Sequence, residues 1–267
     1  MQTDVALDLE DASSLWRGCV CDSVEADVYH KPGSRPEQPE PSLMTAPRTA
    51  TTFRVALIVL ALAMIPAIGA GQARNINFDL LVAARAGKET AVRALLDQGA
   101  NPDSRDRLGD TPLNTAARSG HSAMAKLLVE RGADVNLGNL ARVTPLMSAA
   151  FGGHVEIVKL LLERKADVKP ADRVQKTAMI YAAGSGNAEC VQLLLDAGVD
   201  VNARYANNVT ALMWAAAYGK AENVKRLLAR GADVAARDDR GKTALAIAIE
   251  QRQPEVADLL RGAGAHE

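Results

Sequence analysis

Thr111-Pro-Leu-Asn-Thr-Ala-Ala117, followed by Gly120-His121, Leu127-Leu128 and Gly132-Ala-Asp-Val-Asn136, is the stretch that decides the fold. Thr is a strong helix N-cap, and Pro is tolerated at the first helical position. Leu113, Ala116 and Ala117 then share one helical face. Gly120 ends the helix, because a residue without Cβ adopts positive φ at little cost. A second helix is predicted over Ala123–Arg131, with Leu127 and Leu128 inward and Gly132 as its stop. Asp134-Val-Asn136 leads into an extended finger.

The same marks return along the chain. Thr111, Thr144, Thr177, Thr210 and Thr243 stand 33 residues apart, and Gly120, Gly153, Gly186 and Gly219 keep that spacing. Gly99, Gly132, Gly198, Gly231 and Gly264 do too, with Lys165 filling the one gap. A fixed period of this size means stacked supersecondary units. One such unit cannot offset the entropy of ordering its own backbone, whereas neighbours that bury each other's apolar faces can.

Four further segments copy the first: Thr144-Pro-Leu-Met-Ser-Ala-Ala150, Thr177-Ala-Met-Ile-Tyr-Ala-Ala183, Thr210-Ala-Leu-Met-Trp-Ala-Ala216 and Thr243-Ala-Leu-Ala-Ile-Ala-Ile249. These motifs strongly resemble the ankyrin repeat family across residues 74–267. The resemblance implies an all-α solenoid of helix-turn-helix units joined by β-hairpin fingers. It also implies that fingers and first helices line a concave groove that grips a protein partner. The expected units are 74–104, 105–137, 138–170, 171–203, 204–236 and 237–267, the outer two serving as caps.

Composition agrees with close helix packing. Of 267 residues, 48% are hydrophobic but only 3% aromatic, so Ala and Leu carry the apolar load. Lys plus Arg number 31 and Asp plus Glu 32. No basic excess exists to neutralise a phosphate backbone, and nucleic acid is not an expected partner. Cys19, Cys21 and Cys190 form neither metal-ligand spacing nor a disulfide framework. Phosphate loops, zinc spacings and nucleophile elbows are missing from the repeats, so no cofactor, metal or catalytic centre is expected.

The N-terminal quarter differs in character. Residues 1–43 are polar and rich in Pro, Glu and Ser, and they read as a disordered extension. Val55–Ala70 is then a continuous run of apolar and small residues, preceded by Arg48 and Arg54; Pro66 sits near its end, and Ala67-Ile-Gly-Ala-Gly-Gln-Ala73 follows that proline. With Pro66 inside it, the run is short for a spanning helix. It fits a signal peptide over 44–73, cut after Ala70 or Ala73. The alternative is a retained anchor that meets the membrane through residues 54–71. Met44 is the expected true start, since the basic region then has the proper length. Export to the periplasm or cell exterior follows from a cleaved leader. A secreted effector acting on host proteins would share these features.

Several residues are candidates for partner binding. Phe151, Tyr181, Trp214 and Tyr218 fall in or just after first helices, and Tyr205 lies on a finger; such side chains tend to dominate interface energies. Tyr181 and Trp214, at equivalent places, could equally fill space between units. Finger tips carry Gly at Gly109 and Gly241 but Arg142, Gln175 and Asn208 between them. Arg and Gln tolerate positive φ poorly, so a different turn is expected in the three middle fingers. Lys165, at a helix-stop glycine site, should cost on the order of 1 kcal/mol. His121 and His154 lack convergent partners and read as structural. Cys190 aligns with Met124 and Ile157 as a small core residue.

Overall fold

The computed structural model describes residues 75–185 and 187–266. The extension 1–43, the leader 44–73, Cys19 and Cys21 lie outside the described residues. Among the described residues twelve α-helices follow one another in six pairs. They are α1 Ile76–Arg85, α2 Glu89–Asp97, α3 Pro112–Ser119, α4 Ser122–Glu130, α5 Pro145–Gly152, α6 Val155–Glu163, α7 Ala178–Gly184, α8 Ala188–Asp196, α9 Ala211–Ala217, α10 Ala221–Ala229, α11 Ala244–Glu250 and α12 Pro254–Gly262. Each first helix packs on the next first helix, and each second helix on the next second helix. None of these helices is long and apolar enough to cross a membrane.

Local chemistry sets the helix starts. The hydroxyls of Thr111, Thr144, Thr210 and Thr243 accept from Asn114, Met147, Met213 and Ala246 N–H respectively, capping α3, α5, α9 and α11. Thr177 alone in this series makes no such bond. The core is a continuous stripe of small and branched residues. Leu113, Leu146, Met179, Leu212 and Leu245 stand at one register on the first helices and are fully buried. Met124, Ile157 and Cys190 do the same on the second helices.

The inter-helix glycines have two reasons to be glycine. Gly120 adopts φ 73°, in the left-handed region. A Cβ there would also stand 2.6 Å from the His154 ring, whose Nε2 lies 3.2 Å from the Arg118 carbonyl. His121 lies against Gly87 in the same manner, and Gln253 against Gly219. The side chain just past the inter-helix turn of one unit therefore sits against the inter-helix glycine of the unit before it.

The fingers correct two expectations. They contain no β-strand among the described residues. Each is instead a tight loop closed by two backbone bonds, such as Asp106 N–H to Asp110 C=O and Gly109 N–H to Asp106 C=O. A two-sided ladder needs more residues than the loop offers. Arg142 and Gln175 also keep the same turn as Gly109 and Gly241, at φ 64° and 61°. The turn persists because the first residue of the finger holds it. Oδ1 of Asp106, Asn139, Asp172 and Asp238 accepts two backbone N–H groups in each loop. That fixed frame outweighs a left-handed cost of about 1–2 kcal/mol. Lys165 likewise takes φ 61°. The fourth finger does differ, as expected. Tyr205 occupies its first position and offers no carboxylate or amide, so Ala206–Asn208 forms a 3-10 turn with Asn207 and Asn208 both left-handed.

Candidate functional site

Successive fingers are normally bonded to one another. Leu140 N–H donates to Leu108 C=O, Arg173 N–H to Ala141 C=O, and Asp239 N–H to Asn207 C=O. Behind the fingers runs a ladder of side-chain rungs: Asp134, Asp167 and Asp233 N–H donate to Asp103, Asn136 and Asn202 respectively. Between the third finger (172–176) and the fourth (205–209) both series stop. No backbone bond joins these two fingers among the described residues. The rung position holds Lys169, and an ammonium has no acceptor.

Side chains close that seam instead. Asn223, buried in α10, donates from Nδ2 to Ala182 and Ala183 C=O at 2.9 and 2.8 Å. These carbonyls lie at the end of α7. Trp214 and Tyr218 stack with centroids 5.5 Å apart and planes 6° from parallel. Both rings lie over Gly184, where any Cβ would meet Tyr218 at 3.3 Å. The Lys176 ammonium sits 4.9 Å from the centroid of Trp214 and 5.9 Å from that of Tyr181. Burial pulls its pKa below the ordinary lysine range, with nearby Asp172 opposing the shift.

The structure thus joins four of the five candidate aromatics through contacts. Phe151 meets Tyr181 edge to face at 5.9 Å. Tyr181 is only 7% exposed, and its hydroxyl donates to Asp172 Oδ2. It is the wall of the cluster rather than its outer surface. Trp214 is half-buried and Tyr218 is 43% exposed, so this pair faces solvent. Tyr205 belongs to the fourth finger and is half-buried; burial raises its phenol pKa, and Thr177 partly offsets the rise. Arg142, Gln175 and Asn208 are exposed at successive finger tips.

Two residues that matter were not singled out from the sequence, Lys176 and Asp172. Asp172 had a legible signal, since Asp or Asn recurs at 106, 139, 172 and 238. Its side chain is buried at 3% exposure, like Asp110 at 1% and Asp238 at 6%. These three acids are turned inward, while Arg105, Arg107, Arg142, Lys169 and Arg173 are exposed. Cys190 is fully buried and its thiol is pushed up to about 11 by desolvation, which leaves it protonated and unreactive at neutral pH. No group of three His, Cys, Asp or Glu among the described residues could hold a metal ion.

A search of curated proteins finds no match to the chain. A family profile described as ankyrin repeats (3 copies) matches residues 75–139, 137–205 and 203–266. The Thr-capped helix pairs, their stacking and the closed fingers occupy that same span, and the chain belongs to the ankyrin repeat family, whose arrays are protein-protein interaction modules.

Proposed function

We propose that this interaction module grips its protein partner at the seam between the third and fourth fingers and works outside the cytoplasm. The observation that carries the first half is the Trp214–Tyr218 stack, open to solvent and packed over Gly184. Large aromatic side chains that are ordered before binding give contact area at low entropic cost. Exposed Arg142 and Gln175 extend the surface along neighbouring finger tips. The mechanism is surface complementarity, and no bond is made or broken.

Export rests on the apolar run Val55–Ala70 with Arg48 and Arg54 before it and small residues after it. Removal of 44–73 would release the array into the periplasm or the medium. A retained leader would tether it to the membrane instead. N-terminal sequencing of the mature protein separates the two: a start at Gly71 or Arg74 means cleavage, and an intact leader means an anchor. For the surface, Trp214→Ala with Tyr218→Ala should weaken partner capture at least tenfold while the helical circular dichroism spectrum is kept. Undiminished capture by that folded variant would remove the proposed face.

A further inference from the structure

In this array the last residue of each finger faces the last turn of the following first helix. At the two outer fingers that pairing is ionic and complete. Asp110 bonds Arg118 at 2.7 Å, and Lys242 bonds Glu250 at 2.5 Å. In the second and fourth fingers the first partner is Val143 or Val209, and no charge is involved. The third finger keeps the cation, Lys176, but the helix offers Gly184. The counter-charge has been removed and the charge retained.

Asp172 is the nearby acid whose charge the ammonium feels, yet no carboxylate oxygen among the described residues bonds it. Lys176 forms no ion pair among those described. Asp172 is the nearest acid in sequence, but its Oδ1 is taken by the N–H groups of Val174 and Lys176 and its Oδ2 by the Tyr181 hydroxyl. Gly184 is itself covered by Trp214 and Tyr218. The ammonium is thus held between aromatic faces, which stabilise a cation but leave its hydrogen-bonding capacity unspent. On the second and third fingers themselves the exposed charges, Arg142 and Arg173, are both basic.

From this we infer that the seam receives a side-chain carboxylate of an acidic protein segment, with Lys176 as the ion-pair anchor that completes the missing finger-to-helix pair. Trp214 and Tyr218 take an apolar side chain beside that carboxylate, and the exposed arginines steer the segment in. A partly desolvated ion pair between aromatic walls has more effect than one at an open surface. This inference rests on the face assigned under Proposed function and adds the chemistry of what it binds.

The test uses a library of random twelve-residue peptides displayed with blocked C-termini and panned against the full-length protein. The selected peptides should be enriched in Asp and Glu next to an apolar residue. Fluorescence anisotropy with the best of them should show at least tenfold weaker binding to Lys176→Met, binding within threefold of the original for Lys176→Arg, and loss on Trp214→Ala. Raising salt from 50 to 300 mM should weaken it severalfold. An unchanged helical circular dichroism spectrum of each variant at the assay temperature excludes misfolding. Peptides that depend on Trp214 yet show neither acidic enrichment nor sensitivity to Lys176→Met would overturn the carboxylate inference and leave the binding face standing. Peptides indifferent to both substitutions would overturn both. A labelled oligothymidylate or phosphatidylglycerol vesicle that binds more tightly than the peptides, with the same Lys176 dependence, would assign the seam to another polyanion and also overturn it.

Discussion

The seam between the second and third fingers and the seam between the third and fourth are built from the same repeat but held in different ways. The earlier one uses main-chain and Asx bonds, Arg173 N–H to Ala141 C=O and Asp167 N–H to Asn136. The later one has neither and relies on Asn223, Lys176 and the Trp214–Tyr218 stack. Main-chain bonds are indifferent to side-chain identity, so a seam made from them stays regular while its sequence drifts. A seam made from side chains can carry chemistry, but each of its members becomes individually costly to lose.

The sharpest way to break the comparison is Asn223→Leu. It strips two hydrogen bonds from buried carbonyls at the end of α7 and should cost about 2–4 kcal/mol in urea unfolding. The equivalent register in the neighbouring unit is Cys190, whose replacement by Ala should cost clearly less. Gly120→Ala attacks the regular part. It forces a Cβ into the left-handed region and against His154, for an expected loss of about 2 kcal/mol. Adding His154→Ala should recover part of that loss, since the two residues touch. Full additivity of the two losses would mean that the latch carries no coupling.

Restoring the missing rung sharpens the contrast from the other side. Lys169→Asn supplies an acceptor for Asp200 N–H and should stabilise the array by about 0.5–1 kcal/mol. Slower amide exchange at Asp200 would report the new bond directly. The smallest effect concerns Asp238. Burial pushes its carboxyl up, but the N–H groups of Lys242 and Arg240 and the Arg240 guanidinium outweigh this and hold it below the ordinary aspartate range. Its charge therefore stabilises the fold above the unfolded pKa of about 3.9 and loses that effect as pH falls through the lower folded value. Asp238→Asn, which keeps the turn as Asn139 does, should melt slightly lower at pH 7. The gap should close below pH 4, and a gap independent of pH would contradict this assignment.

Much of this was legible in the sequence. The Thr caps, the 33-residue period and the paired leucines specify helix pairs and their stacking, because each acts within its own turn or between adjacent units. The finger turns were misjudged for a physical reason. Local φ preference argued against Arg142 and Gln175, yet the finger's first Asx and the neighbouring finger fix the loop from outside. For Tyr181 the sequence left binding face and inter-unit filling both open, and its burial goes with Asp172 turning inward to meet it. Asn223 looks like a flaw in a core stripe until the two carbonyls opposite it are seen. Lys176 gains meaning only against Trp214, 38 positions later, and Gly184.

The substitution of Lys169 at the rung position bears on how the array responds to force and heat. In a chain of nearest-neighbour couplings, the interface without main-chain bonds between its fingers is the one that yields first. Ring faces can slide past one another by a fraction of an ångström, whereas a backbone hydrogen bond cannot lengthen that far and survive. The six helix pairs therefore amount to two stiff arms with a wrist between them. Whatever settles at the wrist sets the angle at which the arms are held.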